Sequence, residues 1–163
     1  MNVVPASFPA AERTLLVAGL TLLLGAGPAG AHPRDGAEHV SATQLRAWVA
    51  KTTDGLALHA VTADPASQTL IVRRDRSGEA ELHSKANDVF VVQAGRAALL
   101  VGGRIEGGRQ SAPEEWRGGK IVGARTLQLK KGDVAWIPAG TPHQLLVPTR
   151  GSFTYLVIKS QQK

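Results

Sequence analysis

The segment of residues 132–143 constrains the fold of this chain more than any other part of the sequence. It begins with an apolar stretch, Val134–Ile137, continues into a turn with two prolines and a glycine, and ends at His143, where a second apolar stretch begins. Proline fixes φ, and glycine accepts positive φ, so such a turn follows a defined course. The sequence therefore predicts a rigid corner between two strands that holds His143 in place.

From residue 56 onward, hydrophobic residues recur with the period of two that is typical of β-strands. Strands are predicted over residues 56–62, 68–73, 80–83, 88–93, 96–102, 125–130, 134–137, 143–147 and 153–159. Ala94-Gly95 is predicted to be a tight hairpin turn. The glycine-rich residues 102–123 are predicted to form a long loop, with one short strand near 104–106.

One short helix precedes the strands. Ser41 and Gln44 resemble a capping box, which predicts a helix over residues 42–51 with Trp48 packed against the sheet. Many short strands and a single helix predict an all-β sandwich or barrel.

Two motifs narrow this choice. Gly132, Pro138, Gly140 and His143 form the pattern G-x5-P-x-G-x2-H, which resembles the second conserved motif of the cupin superfamily. Residues 81–95 resemble the first cupin motif, H-x-H-x(3,4)-E-x6-G, with substitutions. The resemblance implies an all-β fold, the cupin-type double-stranded β-helix (jelly roll), over residues 56–163. Residues 32–55 would form a polar tail and the short helix.

The resemblance also implies a metal site, because metal-binding cupins use three histidines and a glutamate that point into the barrel. In one register His83 is the first histidine and Lys85 takes the second place. In the register that we prefer, Glu81 takes the first place and His83 the second, and the intervals from His83 to Asp88 and from Asp88 to Gly95 match the family.

The preferred register makes Glu81, His83, Asp88 and His143 the ligands of a divalent metal ion, with Fe, Mn or Zn suited to this donor set. The residues alone leave an alternative open. Glu81 could be solvated, Lys85 could pair with Asp88, and His143 could cap the corner by hydrogen bonds.

Two functions follow from the resemblance. The first is an exported, metal-dependent enzyme of the oxygenase or isomerase type that acts on a small organic molecule. The second is a non-catalytic module that binds a small molecule such as a sugar, either metal-free or with a structural metal. In both cases Phe90, Trp136, Leu145 and Tyr155 are predicted to be pocket walls.

Composition excludes several other classes. The 163 residues correspond to one domain, and the absence of cysteine excludes disulfides, thiol catalysis and thiolate metal sites. The net charge is +6, but the basic residues are scattered and aromatic residues make up only 4% of the chain, which argues against nucleic acid as a partner.

Residues 1–31 resemble a secretory signal. Arg13 precedes an apolar run over residues 14–27, and Ala29-Gly30-Ala31 fits a small-x-small cleavage site. The sequence predicts a periplasmic or secreted protein with no stable membrane span after processing. An uncleaved membrane anchor is the alternative.

Several predicted strands are apolar on both faces, among them residues 88–92, 97–101 and 153–158. A sheet with one face in water alternates apolar and polar residues. These strands therefore predict a homodimer in which the outer face of the sheet is buried between subunits.

The export signal predicts that the mature chain begins at His32. Intact-mass measurement of protein from the cell-envelope fraction tests this prediction, because cleavage after Ala31 removes the whole apolar run. A full-length mass in that fraction would instead indicate an anchored protein.

Overall fold

The computed structural model describes residues 39–64 and 66–162. The predicted signal segment, residues 1–31, and most of the polar tail lie outside the described residues. Helix α1 spans Ala42–Trp48 and begins with the predicted capping box of Ser41 and Gln44. It ends before residue 51, where its prediction ended, because Val49 already has non-helical backbone angles. No helix within these ranges is long and apolar enough to cross a membrane.

Twelve strands follow α1 in the described part of the chain. Their bounds are β1 Leu56–Ala63, β2 Ser67–Arg74, β3 Glu81–His83, β4 Ala86–Val101, β5 Arg104–Glu106, β6 Arg109–Ala112, β7 Glu115–Arg117, β8 Lys120–Val122, β9 Arg125–Lys130, β10 Val134–Ile137, β11 His143–Leu146 and β12 Phe153–Gln161.

Ten of these strands form one curled antiparallel sheet, in which β4 is the central element. The first half of β4 pairs with β10 and β12, and its second half pairs with β9 and β11. The path through the sheet is β1-β2-β12-β4-β11-β3-β7-β6, and β5 pairs separately with β8. The predicted all-β fold is therefore confirmed, and β4 carries the chain from one half of the barrel to the other.

The predicted hairpin turn at Ala94-Gly95 is wrong, because β4 continues through it as a single strand of 16 residues. Gly95 has a φ of 81°, and a Cβ placed on it would lie 2.0 Å from the carbonyl oxygen of Ser152. The glycine therefore allows β4 to bend and change sheet halves against the neighbouring backbone. A turn and such a bend look alike in sequence, since both need a glycine between apolar runs.

The short strand predicted near residues 104–106 is confirmed as β5, but the prediction of a loop over the rest of residues 102–123 is wrong, because the segment also contains β6, β7 and β8. Paired glycines at the ends of β5 and β8 make tight turns. At Gly103 and Gly119, a Cβ would lie 2.2 Å from a backbone oxygen of the opposite segment. The consequence for function is that β7 pairs with β3 and becomes part of the main sheet.

The core lies inside the curled sheet and consists of the inward-facing residues of its strands. Phe153, Leu99 and Ile137 are fully buried there. Trp48 packs on the outside of β1, as predicted, where its ring stacks on His59 with 4.1 Å between centroids. Helix α1 thus covers one part of the outer face of the sheet.

We expect Gly95→Ala to destabilise the protein by at least about 3 kcal/mol, because it combines backbone strain with a steric clash. Gly132→Ala is the matched control. Gly132 has a φ of 91°, but apart from its chain neighbours no atom of the described residues lies within 4 Å of the position that a Cβ would take. The free energy of unfolding of the control should fall by only about 1–2 kcal/mol. Urea unfolding measures both values. Equal losses would show that the close approach to Ser152 does not matter.

Candidate metal centre and cavity

A cavity of about 190 Å³ opens between the two halves of the curled sheet. Apolar and charged side chains both line it, and β2, β4 and β12 each contribute both kinds. The apolar residues include Leu56, Leu58, Leu70, Val72, Phe90 and Val157, and the charged or ionisable residues include Arg74, Glu81, His83, Asp88, Glu115, Arg117 and Lys159. Sites for small organic molecules combine an apolar surface with a few polar groups, and this cavity has both, with a larger share of charged residues.

Strand register brings the predicted ligands together. Glu81 and His83 are two residues apart on β3, so both side chains face the cavity. His143 begins β11 directly opposite Glu81, and Asp88 lies on β4. His83, Asp88 and His143 are all buried, whereas the Glu81 side chain is 15% exposed.

The inward-facing atoms of these four residues lie close to one another. His83 Nε2 is 3.5 Å from Glu81 Oε2 and 3.4 Å from Asp88 Oδ2, and His143 Nε2 is 3.7 Å from the same Asp88 oxygen. A tetrahedral ion with bonds of about 2.1 Å separates its ligand atoms by about 3.4 Å. Glu81, His83 and His143 form a group that could hold a metal ion, and Asp88 lies beside it.

Both imidazoles are oriented by hydrogen bonds on their outer nitrogens. His143 Nδ1 lies 3.0 Å from the carbonyl oxygen of Thr141, which can only accept, so this nitrogen is the donor. His83 Nδ1 is 2.6 Å from Glu115 Oε2. When Nδ1 donates outward, a neutral imidazole presents the lone pair of Nε2 inward, as a metal ligand requires. These residues therefore fit a divalent metal ion.

The Glu81 carboxylate is held by two arginines. Arg117 Nη1 is 2.7 Å and Arg74 Nη2 is 3.6 Å from Glu81 Oε1, which leaves Oε2 facing the other donors. Burial acts to raise the pKa of Glu81, but a hydrogen bond with His83 and the charges of the arginines and His143 outweigh it. The pKa of Glu81 consequently lies well below its usual range, and the side chain is an anion.

Lys159 on β12 also reaches this centre. Its Nζ is 2.7 and 3.0 Å from the two carboxylate oxygens of Asp88, and 2.9 Å from His83 Nε2. Burial acts to raise the pKa of Asp88, but the hydrogen bond with His83 and the charge of Lys159 outweigh it and lower the pKa. Asp88 is thus a buried carboxylate with a cationic partner.

The two histidines respond differently to this environment. Burial acts to lower the pKa of His83, but hydrogen bonds with Asp88, Glu115 and Glu81 raise it to about 10. An imidazolium N–H at Nε2 would nevertheless point at the ammonium of Lys159, 2.9 Å away, so with a charged lysine it is Lys159 that donates, Nε2 that accepts, and His83 is neutral. Burial dominates at His143 and lowers its pKa, which favours the neutral, ligating form.

Lys85 lies outside the centre. Its side chain is 66% exposed and pairs with Glu114 at 3.2 Å, so the alternative ion pair between Lys85 and Asp88 does not form. Asp88 pairs with Lys159 instead. The structure therefore does not support the register that places Lys85 among the ligands.

Three of the four predicted pocket residues lie at the site. Phe90 and Tyr155 line the main cavity, and Leu145 lines a small adjoining space next to His143. The prediction for Trp136 needs correction, because its side chain is 66% exposed on the outer face of β10. Side chains alternate along a strand, and the inward positions of β10 belong to Ala135 and Ile137.

Sequence reasoning missed four charged residues of the centre: Arg74, Glu115, Arg117 and Lys159. Lys159 follows Phe153, Tyr155 and Val157 at a spacing of two, so it occupies the next position on the inward face of β12. That pattern could have identified it. Glu115 and Arg117 flank Trp116 at the same spacing, but their strand lies in the glycine-rich segment that was predicted to be a loop.

No protein-family model matches the chain, and no curated protein does. Solved structures match its fold. A Klebsiella pneumoniae protein with a double-stranded β-helix domain has a TM-score of 0.56 and 15% identity, and the match covers 77% of this chain and 91% of that one. TT1209 from Thermus thermophilus has a TM-score of 0.55 and 15% identity, over 73% of this chain and 95% of that one.

The cupin domain of Schizosaccharomyces pombe Cnp3 has a TM-score of 0.50 and 12% identity. That match covers 66% of this chain and 65% of the other, so the chain spans slightly less than two thirds of its length. Identities this low establish the architecture rather than an activity. The double-stranded β-helix predicted from the motif resemblance is confirmed, and this chain has the fold of the cupin superfamily.

Proposed function

We propose that this chain is an exported, metal-dependent enzyme that acts on a small organic molecule in the barrel. The observation that carries the proposal is the convergence of Glu81, His83 and His143, with both imidazoles tied back through Nδ1. Asp88 completes the donor set. The ligand atoms of Glu81, His83 and His143 all lie within 4.8 Å of one another, which side chains that only capped a corner would not require.

Some of these residues would hold the ion, and others would contact the organic molecule. Two imidazoles with carboxylates suit Fe(II), Mn(II) or Zn(II), and such an ion would polarise an oxygen of the bound molecule in an oxygenase- or isomerase-type reaction. Glu115 and Thr141 orient the imidazoles, and the arginines fix Glu81. Phe90 and Val157 provide an apolar surface that excludes water from the molecule bound beside the centre.

A non-catalytic binding module is the second candidate, and the charge balance of the cavity favours it. The cationic side chains Arg74, Arg117 and Lys159 face the carboxylates of Glu81, Asp88 and Glu115. A neutral set of this kind does not require an ion to fold. Metal content separates the two functions, because a binder of sugars or similar molecules can work without metal.

We expect calorimetric titration of the purified chain to show a divalent ion bound more tightly than millimolar. Binding should raise the melting temperature, because the folded state alone assembles the donor set. His143→Ala and Glu81→Gln should each remove both effects, since each loses a ligand.

Glu114→Gln is the matched control for Glu81→Gln, because Glu114 is an exposed carboxylate that pairs with Lys85 outside the centre. It should bind the ion as the wild type does. Tight binding that survives both His143→Ala and Glu81→Gln would place the ion elsewhere. A wild type that binds none of the three metals would favour the binding module.

We further propose that the chain forms a homodimer through the outer face of β10, β4 and β12. Val134 and Trp136 are 64% and 66% exposed there. Strand pairing places them beside Val89, Val91 and, one strand further, Leu156 and Ile158. Helix α1 covers the other end of this face, so the apolar remainder is the surface that a second copy would bury.

Light scattering at micromolar concentration should give the mass of a dimer, and Trp136→Ser should shift it to the monomer. Trp116→Ser is the control, because Trp116 is 42% exposed on a different part of the barrel. A stable interface buries more than about 1,000 Å² in total. A monomeric wild type would contradict the proposal.

A further inference from the structure

Lys159 has no place in the donor set described above, yet it lies within hydrogen-bonding distance of two of its members. Its side chain is only 15% exposed, and strand pairing sets Lys159 directly opposite Asp88. Its Nζ contacts both Asp88 oxygens and His83 Nε2, at 2.7, 3.0 and 2.9 Å. Buried lysines are rare and are almost always paired, so this position is specific.

The position of the lysine nitrogen conflicts with that of a metal ion. An ion bonded at about 2.1 Å to both His83 Nε2 and Asp88 Oδ2 would lie within roughly 3.7 Å of Lys159 Nζ in any direction. A divalent cation and an ammonium repel each other strongly at that separation inside a protein. In addition, both cations need the same lone pairs of Asp88 and His83.

We propose that Lys159 is an internal cation that occupies the centre in the metal-free protein and competes with the metal ion for Asp88 and His83. This inference rests on the proposed metal site. The lysine neutralises Asp88 when no ion is bound, and an incoming ion must displace its amino group. Lys159 therefore sets the affinity of the site for metal.

The cavity provides space for the amino group of Lys159 after it leaves Asp88. Lys159 lines the cavity of about 190 Å³, next to Tyr155 and Val157 on the same face of β12. Lysine has four rotatable carbon–carbon bonds, so Nζ can leave Asp88 by rotamer changes while β12 keeps its pairing. Asp88 and His83, by contrast, are short side chains on paired strands and remain in place.

The test compares Mn²⁺ binding to the wild type and to Lys159→Met at one fixed pH, by calorimetry on the chelator-treated chain. Methionine has a similar length and no charge, and Mn²⁺ does not favour its thioether as a ligand. We expect Lys159→Met to bind Mn²⁺ at least about tenfold more tightly than the wild type. Lys159→Arg keeps the charge and should bind no more tightly than the wild type.

Melting temperatures provide a second readout. Without metal, Lys159→Met should melt below the wild type, because Asp88 loses its cationic partner. Saturating Mn²⁺ should raise the melting temperature of this variant more than that of the wild type. Lys85→Met is the matched control, since Lys85 pairs with Glu114 outside the centre, and it should match the wild type in both measurements.

The outcomes separate this inference from the proposed function. Equal Mn²⁺ affinity in the wild type and Lys159→Met overturns the competition and leaves the metal site intact. If neither protein binds Mn²⁺, both the competition by Lys159 and the proposed metal site are wrong. Binding by Lys159→Met alone supports the competition and shows that the native centre works with its lysine rather than with a metal. If Lys159→Met does not fold, Lys159→Ala in the same titration decides between these outcomes.

Discussion

The carboxylates of Glu81 and Asp88 line the cavity, and the surrounding structure compensates their charge. An ionised carboxylate is costly to remove from water unless it is paired and hydrogen-bonded. Arg117 and Arg74 hold one oxygen of Glu81, and Lys159 holds Asp88. The imidazole of His83 lies between the two anions, within 3.5 Å of each. Removing Lys159 would leave the buried Asp88 without its lysine partner, whereas Glu81 would keep one arginine if the other were removed.

The curled sheet makes this arrangement possible because each strand contributes few of the charged groups. Glu81 and His83 come from β3, Asp88 from β4, His143 from β11 and Lys159 from β12. The bend at Gly95 lets β4 pair with β12 in one half and with β11 in the other. One strand thereby links the segment that carries the lysine to the segment that carries the histidine.

The sequence predicted the parts of the site that depend on short spacings. The corner before His143 and the interval of two between Glu81 and His83 both translate directly into geometry. It did not predict the partners of these residues, because Arg117 lies in a segment whose glycines resemble a loop. Trp136 shows another limit, since alternation along a strand does not reveal which face is inward. Lys159 was overlooked although the alternation of β12 extends to it.

Strand register, rather than loop conformation, determines which side chains meet in this centre. Lys159 faces Asp88 and His143 faces Glu81 because these residues are paired across adjacent strands. A slip of one residue would turn every side chain of a strand to the opposite face, and the buried apolar rows of β4 and β12 resist such a slip. The positions of Glu81, His83, Asp88 and His143 are thus fixed by the same packing that stabilises the core. Lys159 has a long flexible side chain that lines the cavity. If an ion entered the site, the amino group of Lys159 could move away while β12 kept its pairing.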